Sequence, residues 1–554
     1  MGSLSATDSG QVGPYDRYTW RQAPDGQWYR DADEVEKFYA TFSRKRDDPE
    51  KAGFPITASA FFQLSTPDSA GASSLETTLR QAWVALRSEC PTLASWIQFD
   101  KQTETWRRVY ESPSSTGDAN AALDKWVSFT FRTVKTSISP SEWINTDPPT
   151  LRSPVLYLVL PEEASQTTTG AVFLRCPHDL IDGLGLLQLV DRLFDIASDI
   201  HHGKRSSDIA SAADSEIKLL APPMPVATGM AGQLSPEQQK RYDSVKMEAI
   251  MSQLKMPQLG LPMDMTNLGP GAAGGVRRVA AVLPQSSSER LLTSCKKHGL
   301  TATHVLSAGL VLALRDLQPQ DGDGSEKGEP KTLRYHAQAL ANLRGLFAKE
   351  AIPSSVAMAA GNHHMLATTG FLRDFVISAD KNDEKVEEFM SVAQQFRDYY
   401  ASIKPCTDGS NETGRDNLDF APHTWDMYTP KPPPPQQAAS QPPPGESAPP
   451  PEPPKLPTSA PVAVSSIGNI SSVVKAERHP FKITSAWISA QGMGPSIPVL
   501  IQTWDGRVGL SACYEGMFHK GGDVESFLKH ILKGTLNGMG LAEDAASEDF
   551  LREW

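Results

Sequence analysis

Apolar residues recur at helical spacing in several parts of this chain. Between residues 74 and 88, Leu75, Leu79, Trp83 and Leu86 lie three to four positions apart, which is the spacing of one buried helix face. A serine before this stretch and Glu76 in its first turn are typical of a helix start. The same pattern predicts further helices at about 184–200, 286–298, 303–314 and 524–536.

Short apolar stretches bounded by turn residues predict strands between these helices. Two of them, at about 155–160 and 171–176, are separated by a polar turn, and the second leads into Pro177 and His178. Asp505-Gly506 is a typical hairpin turn between two further strands. Strands that alternate with helices place the chain in the α/β class. Other strands or strand pairs are predicted at about 20–30, 58–65, 96–99 with 106–110, 279–283 and 484–488.

Changes in composition suggest how the chain is divided. We predict an N-terminal half at 1–215, a crossover linker at 216–275 and a C-terminal half at 276–554. Residues 430–461 include 15 prolines. So many prolines prevent a packed core or a ladder strand, and we therefore interpret this segment as a disordered, extended insert in the C-terminal half.

Composition excludes several classes of protein. The 554 residues are 39% hydrophobic and 21% charged, as expected of a globular protein, and the net charge of −12 disfavours a nucleic-acid partner. No uncharged apolar run reaches the ~18–20 residues that span a bilayer. The start of the chain lacks the features of a secretory signal, so we expect a cytoplasmic protein.

Metal binding also has little support in the sequence. The five cysteines form no Cys-x-x-Cys pair. His201-His202 and His363-His364 are adjacent pairs, which rarely direct both rings at one ion, and no carboxylate–histidine helix motif accompanies them. We expect neither a metal nor a bound cofactor.

One segment carries candidate chemistry. His178 follows a predicted strand, Asp182 comes four residues later, and Gly183 precedes a predicted helix. An imidazole at a strand end can take the proton of a hydroxyl as that hydroxyl attacks an acyl carbonyl. Gly183 permits a tight turn or the close approach of another element. The alternative is a surface histidine with Asp182 as a helix cap, and the motif alone does not decide between the two.

The order of several motifs resembles an acyltransferase superfamily. This superfamily includes chloramphenicol acetyltransferase, plant alcohol acyltransferases of the BAHD type and the condensation domains of nonribosomal peptide synthetases. Within it, the chain is most similar to fungal acetyltransferases of secondary metabolism of the trichothecene 15-O-acetyltransferase kind. The resemblance covers about residues 58–540 and rests on the early helix with its turn at 79–95, the His178 motif, the helix at 301–314, the strand at 339–344, Gly361-Asn362 and Ser465-Ser466-Ile467-Gly468-Asn469.

This resemblance implies a fold and a set of roles. The fold would be two chloramphenicol-acetyltransferase-like halves, each a mixed β-sheet flanked by helices, with a tunnel between them. His178 would be the general base in that tunnel. Asp182 would be structural, because the family aspartate points away from the histidine and holds an arginine, for which Arg344 is the candidate. Candidate donors to the oxyanion of the intermediate are Ser465, Ser466 and Asn469, although a simple strand-end turn explains the same segment.

Two departures from the family pattern bear on function. Condensation domains carry a second histidine just before the catalytic one, and this chain has Pro177 there. The plant enzymes carry Asp-Phe-Gly-Trp-Gly near the C-terminus, whereas the corresponding region here reads Trp487-Ile-Ser-Ala-Gln-Gly-Met-Gly494. The first departure weakens a role in peptide-bond formation, and the second leaves the CoA side of the tunnel undefined.

The resemblance implies transfer of an acyl group, most simply acetyl, from acyl-CoA as co-substrate to the hydroxyl of a small secondary metabolite such as a terpenoid. A second hypothesis is a carrier-protein-dependent condensation or polyketide-release acyltransferase. A third is a binding protein with a relict site. We expect a monomer, because the two halves can form the site within one chain.

Overall fold

The computed structural model describes residues 15–43, 52–64, 72–113, 118–163, 169–205, 216–230, 232–255, 258–263, 274–318, 332–347, 368–379, 385–407, 411–430, 458–546 and 549–554. The predicted Gly361-Asn362 pair, His363-His364 and most of the proline-rich segment lie outside these residues. The strands are β1 (Arg21–Gln22), β2 (Trp28–Asp31), β3 (Pro55–Leu64), β4 (Ser95–Asp100), β5 (Thr105–Tyr110), β6 (Phe131–Thr136), β7 (Val155–Pro161), β8 (Thr169–Pro177), β9 (Leu261–Pro262), β10 (Val276–Val282), β11 (Thr332–Asn342), β12 (Thr368–Ser378), β13 (Ser459–Ala460), β14 (Val462–Asn469), β15 (Glu477–Arg478), β16 (Phe481–Ala490), β17 (Ile497–Trp504) and β18 (Arg507–Glu515).

The helices include those predicted from the apolar spacing, with ends one to three residues from the expected ones. They are α1 (Glu34–Ser43), α2 (Ala72–Glu89), α3 (Ala119–Thr130), α4 (Pro140–Ile144), α5 (Gly183–His201), α6 (Met224–Thr228), α7 (Pro236–Lys255), α8 (Gln285–Lys297), α9 (Ala302–Asp316), α10 (Lys385–Ser402), α11 (Glu412–Asp419), α12 (Ala421–Tyr428), α13 (Gly521–Gly538) and α14 (Ala542–Ala546). None of the helices in the described parts of the chain combines the length and hydropathy needed to cross a bilayer.

A six-stranded mixed sheet forms the first half, in the order β15-β16-β3-β8-β7-β6. The strands β7 and β8 are nearly continuous runs of buried residues, and α2 and α5 pack together on the sheet. Phe62, Phe173 and Trp487 are among its fully buried side chains. This core fixes the direction of β8, an interior strand, and the His178 motif begins where that strand ends.

A second mixed sheet, in the order β10-β18-β17-β14, forms the core of the other half with α9 and α13. The predicted hairpin at Asp505-Gly506 is present, since β17 and β18 pair in antiparallel register up to Trp504 and Arg507. β14 runs parallel to β17, and its register shifts between Ser466 and Gly468. The long strands β11 and β12 pair separately, beside β14.

The C-terminal half contributes a long strand to the sheet of the first half. β16 lies late in the chain, yet it pairs in antiparallel register with β3 of the first sheet. Gln502 on β17 joins the sheets, because its side chain accepts from the backbone N–H of Ile488 (2.9 Å) and donates to the carbonyl of Ile488 (3.1 Å). The C-terminal sequence therefore contributes directly to the sheet that holds His178.

The region predicted as the crossover linker contains the long helix α7, which the sequence analysis did not predict. No amphipathic stripe marks this helix. Its apolar side chains Val245, Met247, Ile250 and Met251 are exposed. The end of the predicted proline-rich insert is also ordered, since β13 pairs with β9.

Candidate functional site

His178 directly follows β8, and Asp182 is the N-cap of α5. The Asp182 carboxylate accepts a hydrogen bond from the backbone N–H of Gly185 at 2.9 Å. A capping carboxylate satisfies a helix-start N–H and interacts favourably with the helix dipole. We call residues 178–182 the histidine loop. The strand, this loop and the start of the helix therefore occur where the sequence predicts them.

Asp182 and Arg344 form a buried ion pair. The Nη2 of Arg344 lies 2.7 Å from Oδ1 of Asp182, and the two residues are 8% and 3% exposed. Arg344 lies just beyond β11, and Asn342 accepts hydrogen bonds from its backbone N–H (3.1 Å) and from Nη1 (3.2 Å). The sequence analysis names this pair, and the structure brings the two side chains together across the two halves.

Gly183 lies at a point of very close packing. A Cβ at this position would be 2.2 Å from Cδ1 of Ile488 on β16 and 3.5 Å from Cδ1 of Ile467 on β14. No real Cβ contact is as short as the first of these distances. The absence of a side chain lets strands from the C-terminal sequence pack against the start of α5.

His178 is buried under aromatic rings. Its imidazole stacks on the ring of Tyr39, with 4.1 Å between centroids and 12° between planes. Phe54 is nearly parallel to it at 5.8 Å. Burial lowers the pKa of His178 to about 4, although backbone interactions and the charge of Asp182 act in the opposite direction. The imidazole is therefore neutral at pH 7, the form that accepts a proton.

The rings around His178 come from distant parts of the chain. Tyr39 belongs to α1, and Trp425 of α12 packs on it (5.7 Å) and on Phe38 (4.8 Å). We call Tyr39, Phe54 and Trp425 the aromatic cap. The sequence analysis did not find it, because nothing in the local sequence of α1 or α12 connects these residues with His178.

A buried charged network holds the residue after His178. Arg108 donates to the backbone carbonyl of Asp179 (2.6 Å) and to Glu36 (2.6 Å). Ser43 donates to the carboxylate of Asp179 (3.0 Å), and Arg30 forms two hydrogen bonds to Glu36 (2.8 Å each). Burial alone would raise the pKa of Glu36, but Arg108 and Arg30 outweigh it and lower the pKa to about 2.

The sequence analysis overlooked this network as well. Asp179 is adjacent to His178, and Arg108 directly precedes the apolar strand end Val109-Tyr110. Charged residues inside apolar stretches are a signal of buried pairing, since unpaired buried charges are strongly unfavourable.

No protein-family model and no curated protein matches this chain. Solved structures do match it. Trichothecene 15-O-acetyltransferase from Fusarium sporotrichioides superimposes with a TM-score of 0.71 at 17% identity, covering 96% of this chain and 100% of that one. The first condensation domain of the calcium-dependent antibiotic synthetase gives 0.55 at 12% identity, covering 93% and 97% of the two chains. The cyclization-docking bidomain from Sorangium cellulosum gives 0.51 at 14% identity, covering 96% and 88%.

The chain has the two-lobed fold of the chloramphenicol-acetyltransferase-like proteins. The fold class predicted from the sequence is therefore confirmed. Both lobes contribute to the surroundings of His178 in this chain, since Asp182 belongs to the first and Arg344 to the second.

The three candidate oxyanion donors lie on β14, which reaches Gly183 through Ile467. Ser465 and Ser466 are half-buried, and the hydroxyl of Ser466 is 2.6 Å from that of Thr303 on α9. Asn469 is exposed and caps a short 3-10 turn, where its side-chain oxygen accepts from the N–H of Ser471 (3.1 Å). Ser465 and Ser466 thus lie on the half-buried part of the strand, and Asn469 lies at its exposed end.

Three histidines lie close together at the surface. His202 and His479 approach to 3.4 Å between ring nitrogens, and His201 is adjacent. In the parts of the chain that the structure describes, no group of three or more His, Cys, Asp or Glu side chains has an arrangement suited to holding a metal ion.

Proposed function

We propose that this protein is an acyl-CoA-dependent O-acyltransferase that acetylates a hydroxyl of a secondary metabolite such as a terpenoid. The observation that carries the proposal is a neutral, buried imidazole at the end of β8, between two lobes of an acyltransferase-type fold. The similarity to a solved trichothecene acetyltransferase supports the choice of acetyl and of a terpenoid alcohol. The ring of Phe54 beside His178 suits an apolar acceptor.

In the proposed reaction His178 acts as general base. Its neutral ring takes the proton of the acceptor hydroxyl while the oxygen attacks the thioester carbonyl. The resulting tetrahedral intermediate collapses, the carbon–sulfur bond breaks, and the imidazolium returns the proton to the leaving thiolate. The products are the ester and free CoA, with no acyl-enzyme. Asp182 holds a negative charge near the ring and stabilises the imidazolium while its carboxylate pairs with Arg344.

The oxyanion of the intermediate requires a hydrogen-bond donor. Of the residues predicted for this role, Ser466 has its hydroxyl held by Thr303, and Ser465 and Asn469 share its strand. Removing one such donor typically costs about 3–4 kcal/mol of transition-state stabilisation. We assign the role to Ser465 or Ser466 in preference to Asn469, whose side-chain oxygen caps an exposed turn.

The test is thiol release from acetyl-CoA and longer acyl-CoAs against a panel of hydroxylated terpenoids and polyketides. His178→Ala is expected to lose turnover by about 10²–10⁴-fold, the usual contribution of a general base, while a thermal melt shows that the variant is still folded. His201→Ala is the matched control and is expected to keep full activity. His201 is an exposed histidine at the far end of α5, the helix that follows the His178 motif.

Each other result assigns a different function. Turnover with an acyl carrier protein as donor and none with any CoA donor would identify a carrier-protein-dependent condensation or release enzyme. Turnover with neither donor would support a binding protein with a relict site. Equal turnover in wild type and His178→Ala would contradict the mechanism.

A further inference from the structure

We propose that Tyr39 is a positioning residue for His178. Its ring lies flat on one face of the imidazole, fixes the plane of that ring and excludes water from it. This inference rests on the proposed function, because it assigns Tyr39 a part in holding the general base of that reaction. Tyr39 itself touches neither the hydroxyl nor the thioester in this assignment.

The geometry of the stack supports this role. The centroids are 4.1 Å apart and the planes differ by 12°, so the two rings overlap face to face. Phe54 is 5.8 Å from the imidazole and 6.0 Å from Tyr39. Rings on opposite faces of His178 would be much farther from each other, so Phe54 lies beside the imidazole. These two rings therefore leave the face of the imidazole opposite Tyr39 uncovered.

Phe54 is held in place by an unusual backbone. Its φ is 51°, in the left-handed region that aromatic residues rarely adopt, and Pro55 follows it. Such a conformation persists only where the surrounding structure enforces it, and it clusters at functional sites. The fold thus places a second ring next to His178 despite local strain.

Helix α1 is anchored at both ends to the loop that carries His178. Near its start, Glu36 pairs with Arg108, which also donates to the carbonyl of Asp179. At its end, Ser43 donates to the Asp179 carboxylate. Tyr39 lies between these anchors, with Trp425 packed behind it. The distance from Tyr39 to His178 is therefore set by hydrogen bonds on either side of the stack.

Several charged groups surround the histidine loop and would stay in place if the Tyr39 ring were removed. Asp182 and Asp179 belong to the histidine loop, Arg344 approaches from the end of β11, Arg108 from β5 and Glu36 from α1. Burial and the charge of Asp182 raise the pKa of Tyr39, so its hydroxyl stays protonated over the working pH range. Removal of the ring would leave these charges in place and admit water to the imidazole, which raises the pKa of His178 toward its ordinary value of ~6.5.

Three variants test the assignment. Tyr39→Leu keeps an apolar side chain and removes the ring, Tyr39→Phe keeps the ring and removes the hydroxyl, and Phe42→Leu is the matched control. Phe42 lies on the same helix and packs on Phe38 and Phe54. We expect Tyr39→Leu to lower kcat roughly tenfold with little change in KM, since aromatic pairs contribute on this scale. Tyr39→Phe and Phe42→Leu are expected to stay within about threefold of wild type.

The second readout does not need turnover. Titration of labelled histidine side chains by NMR, with His178→Ala to assign the signal, gives the pKa of His178 in each variant. We expect about 4 in wild type, Tyr39→Phe and Phe42→Leu, and a rise of at least one unit in Tyr39→Leu. Unchanged kcat and unchanged pKa in a folded Tyr39→Leu protein would overturn the proposal. If wild type has no acyltransferase activity, the proposed function fails, and the NMR titration still decides whether Tyr39 holds the imidazole.

Discussion

The guanidinium of Arg344 lies 2.7 Å from the carboxylate of Asp182, which also caps helix α5 through the N–H of Gly185. These contacts give Asp182 two structural tasks at a position four residues from His178. One joins the second lobe to the histidine loop, and the other starts the helix that follows it. If a substitution of Asp182 lowers activity, the stability of that variant must therefore be measured too, because loss of either structural contact could cause the effect.

Substitutions of this ion pair separate the two tasks. Asn caps helices about as well as Asp, so Asp182→Asn removes the charge and keeps the cap. We expect Asp182→Asn and Arg344→Met each to lower the free energy of unfolding by about 3–5 kcal/mol, because each removes one member of a buried ion pair and keeps the other charge buried. Urea unfolding of both proteins checks this expectation.

The double variant Asp182→Asn/Arg344→Met should lose much less stability than the sum of the single changes, since it buries no unpaired charge. Asp118→Ala is a control for capping alone, because Asp118 caps the exposed start of α3 and its removal should cost about 1 kcal/mol. Additive losses in the double variant would show that the two residues stabilise the fold independently.

The close packing at Gly183 can be tested with one substitution that lowers stability and a second that should restore it. Its missing Cβ would lie 2.2 Å from Cδ1 of Ile488, so Gly183→Ala should destabilise the protein by about 1–3 kcal/mol through overpacking. Ile488→Val deletes that one methyl group. We expect Gly183→Ala/Ile488→Val to recover most of the loss, as measured by thermal melting.

The control for this test is Gly522→Ala. Gly522 lies in the first turn of α13, as Gly183 does in α5, and nothing lies within 4 Å of its missing Cβ. This change should be neutral or stabilise the protein slightly, by up to about 1 kcal/mol. A destabilised Gly522→Ala protein would show that helix-start glycines are needed here for reasons other than packing.

The histidine loop was predictable because its signals are local. An apolar strand, a polar loop with a capping aspartate and an amphipathic helix follow one another within residues 169–201, and each obeys its own periodicity. The hairpin at Asp505-Gly506 was predictable for the same reason. The Arg344 pairing came from family resemblance, since 162 positions separate it from Asp182 and no local pattern connects them.

The remaining surroundings of His178 depend on contacts between distant segments. Tyr39 stacks on His178 from a helix 139 residues earlier in the chain, and Trp425 arrives from the other lobe. The pairing of β16 with β3 in the first sheet could not be predicted either, because the apolar pattern of β16 would fit either sheet. Helix α7 was missed for a different reason. Its apolar residues Val245, Met247, Ile250 and Met251 are exposed, so they mark no buried stripe.

Arg108 should support both stability and catalysis, because it ties the backbone of Asp179 to Glu36. We expect Arg108→Met to lower the free energy of unfolding by about 3–5 kcal/mol and to reduce kcat in the protein that remains folded. Arg107→Met is the matched control. Arg107 is the neighbouring residue, its side chain is 28% exposed, and its ion pair with Asp100 lies at the surface, so its loss should change stability much less. Equal effects of the two changes would mean that the buried network does not hold the loop.

The buried imidazole of His178 should also make stability depend on pH in a definite direction. Its pKa is about 4 in the folded protein and ~6.5 in an unfolded chain. Between these values the unfolded state binds a proton that the folded state does not, so the free energy of unfolding falls as the pH is lowered from 6.5 to 4. The full difference is about 3 kcal/mol, since one pKa unit corresponds to ~1.4 kcal/mol.

Replacement of the imidazole isolates this contribution from those of other groups. Asp33, whose pKa burial and the charge of Glu36 raise to about 7, and the remaining carboxylates titrate in wild type and in His178→Gln alike. Urea unfolding of both proteins between pH 7.5 and 4.5 should therefore show that wild type loses more free energy of unfolding than His178→Gln as the pH falls. Parallel curves would mean that His178 is as readily protonated in the folded protein as in the unfolded chain. In that case the neutral base on which the proposed reaction depends would not persist below pH 6.5.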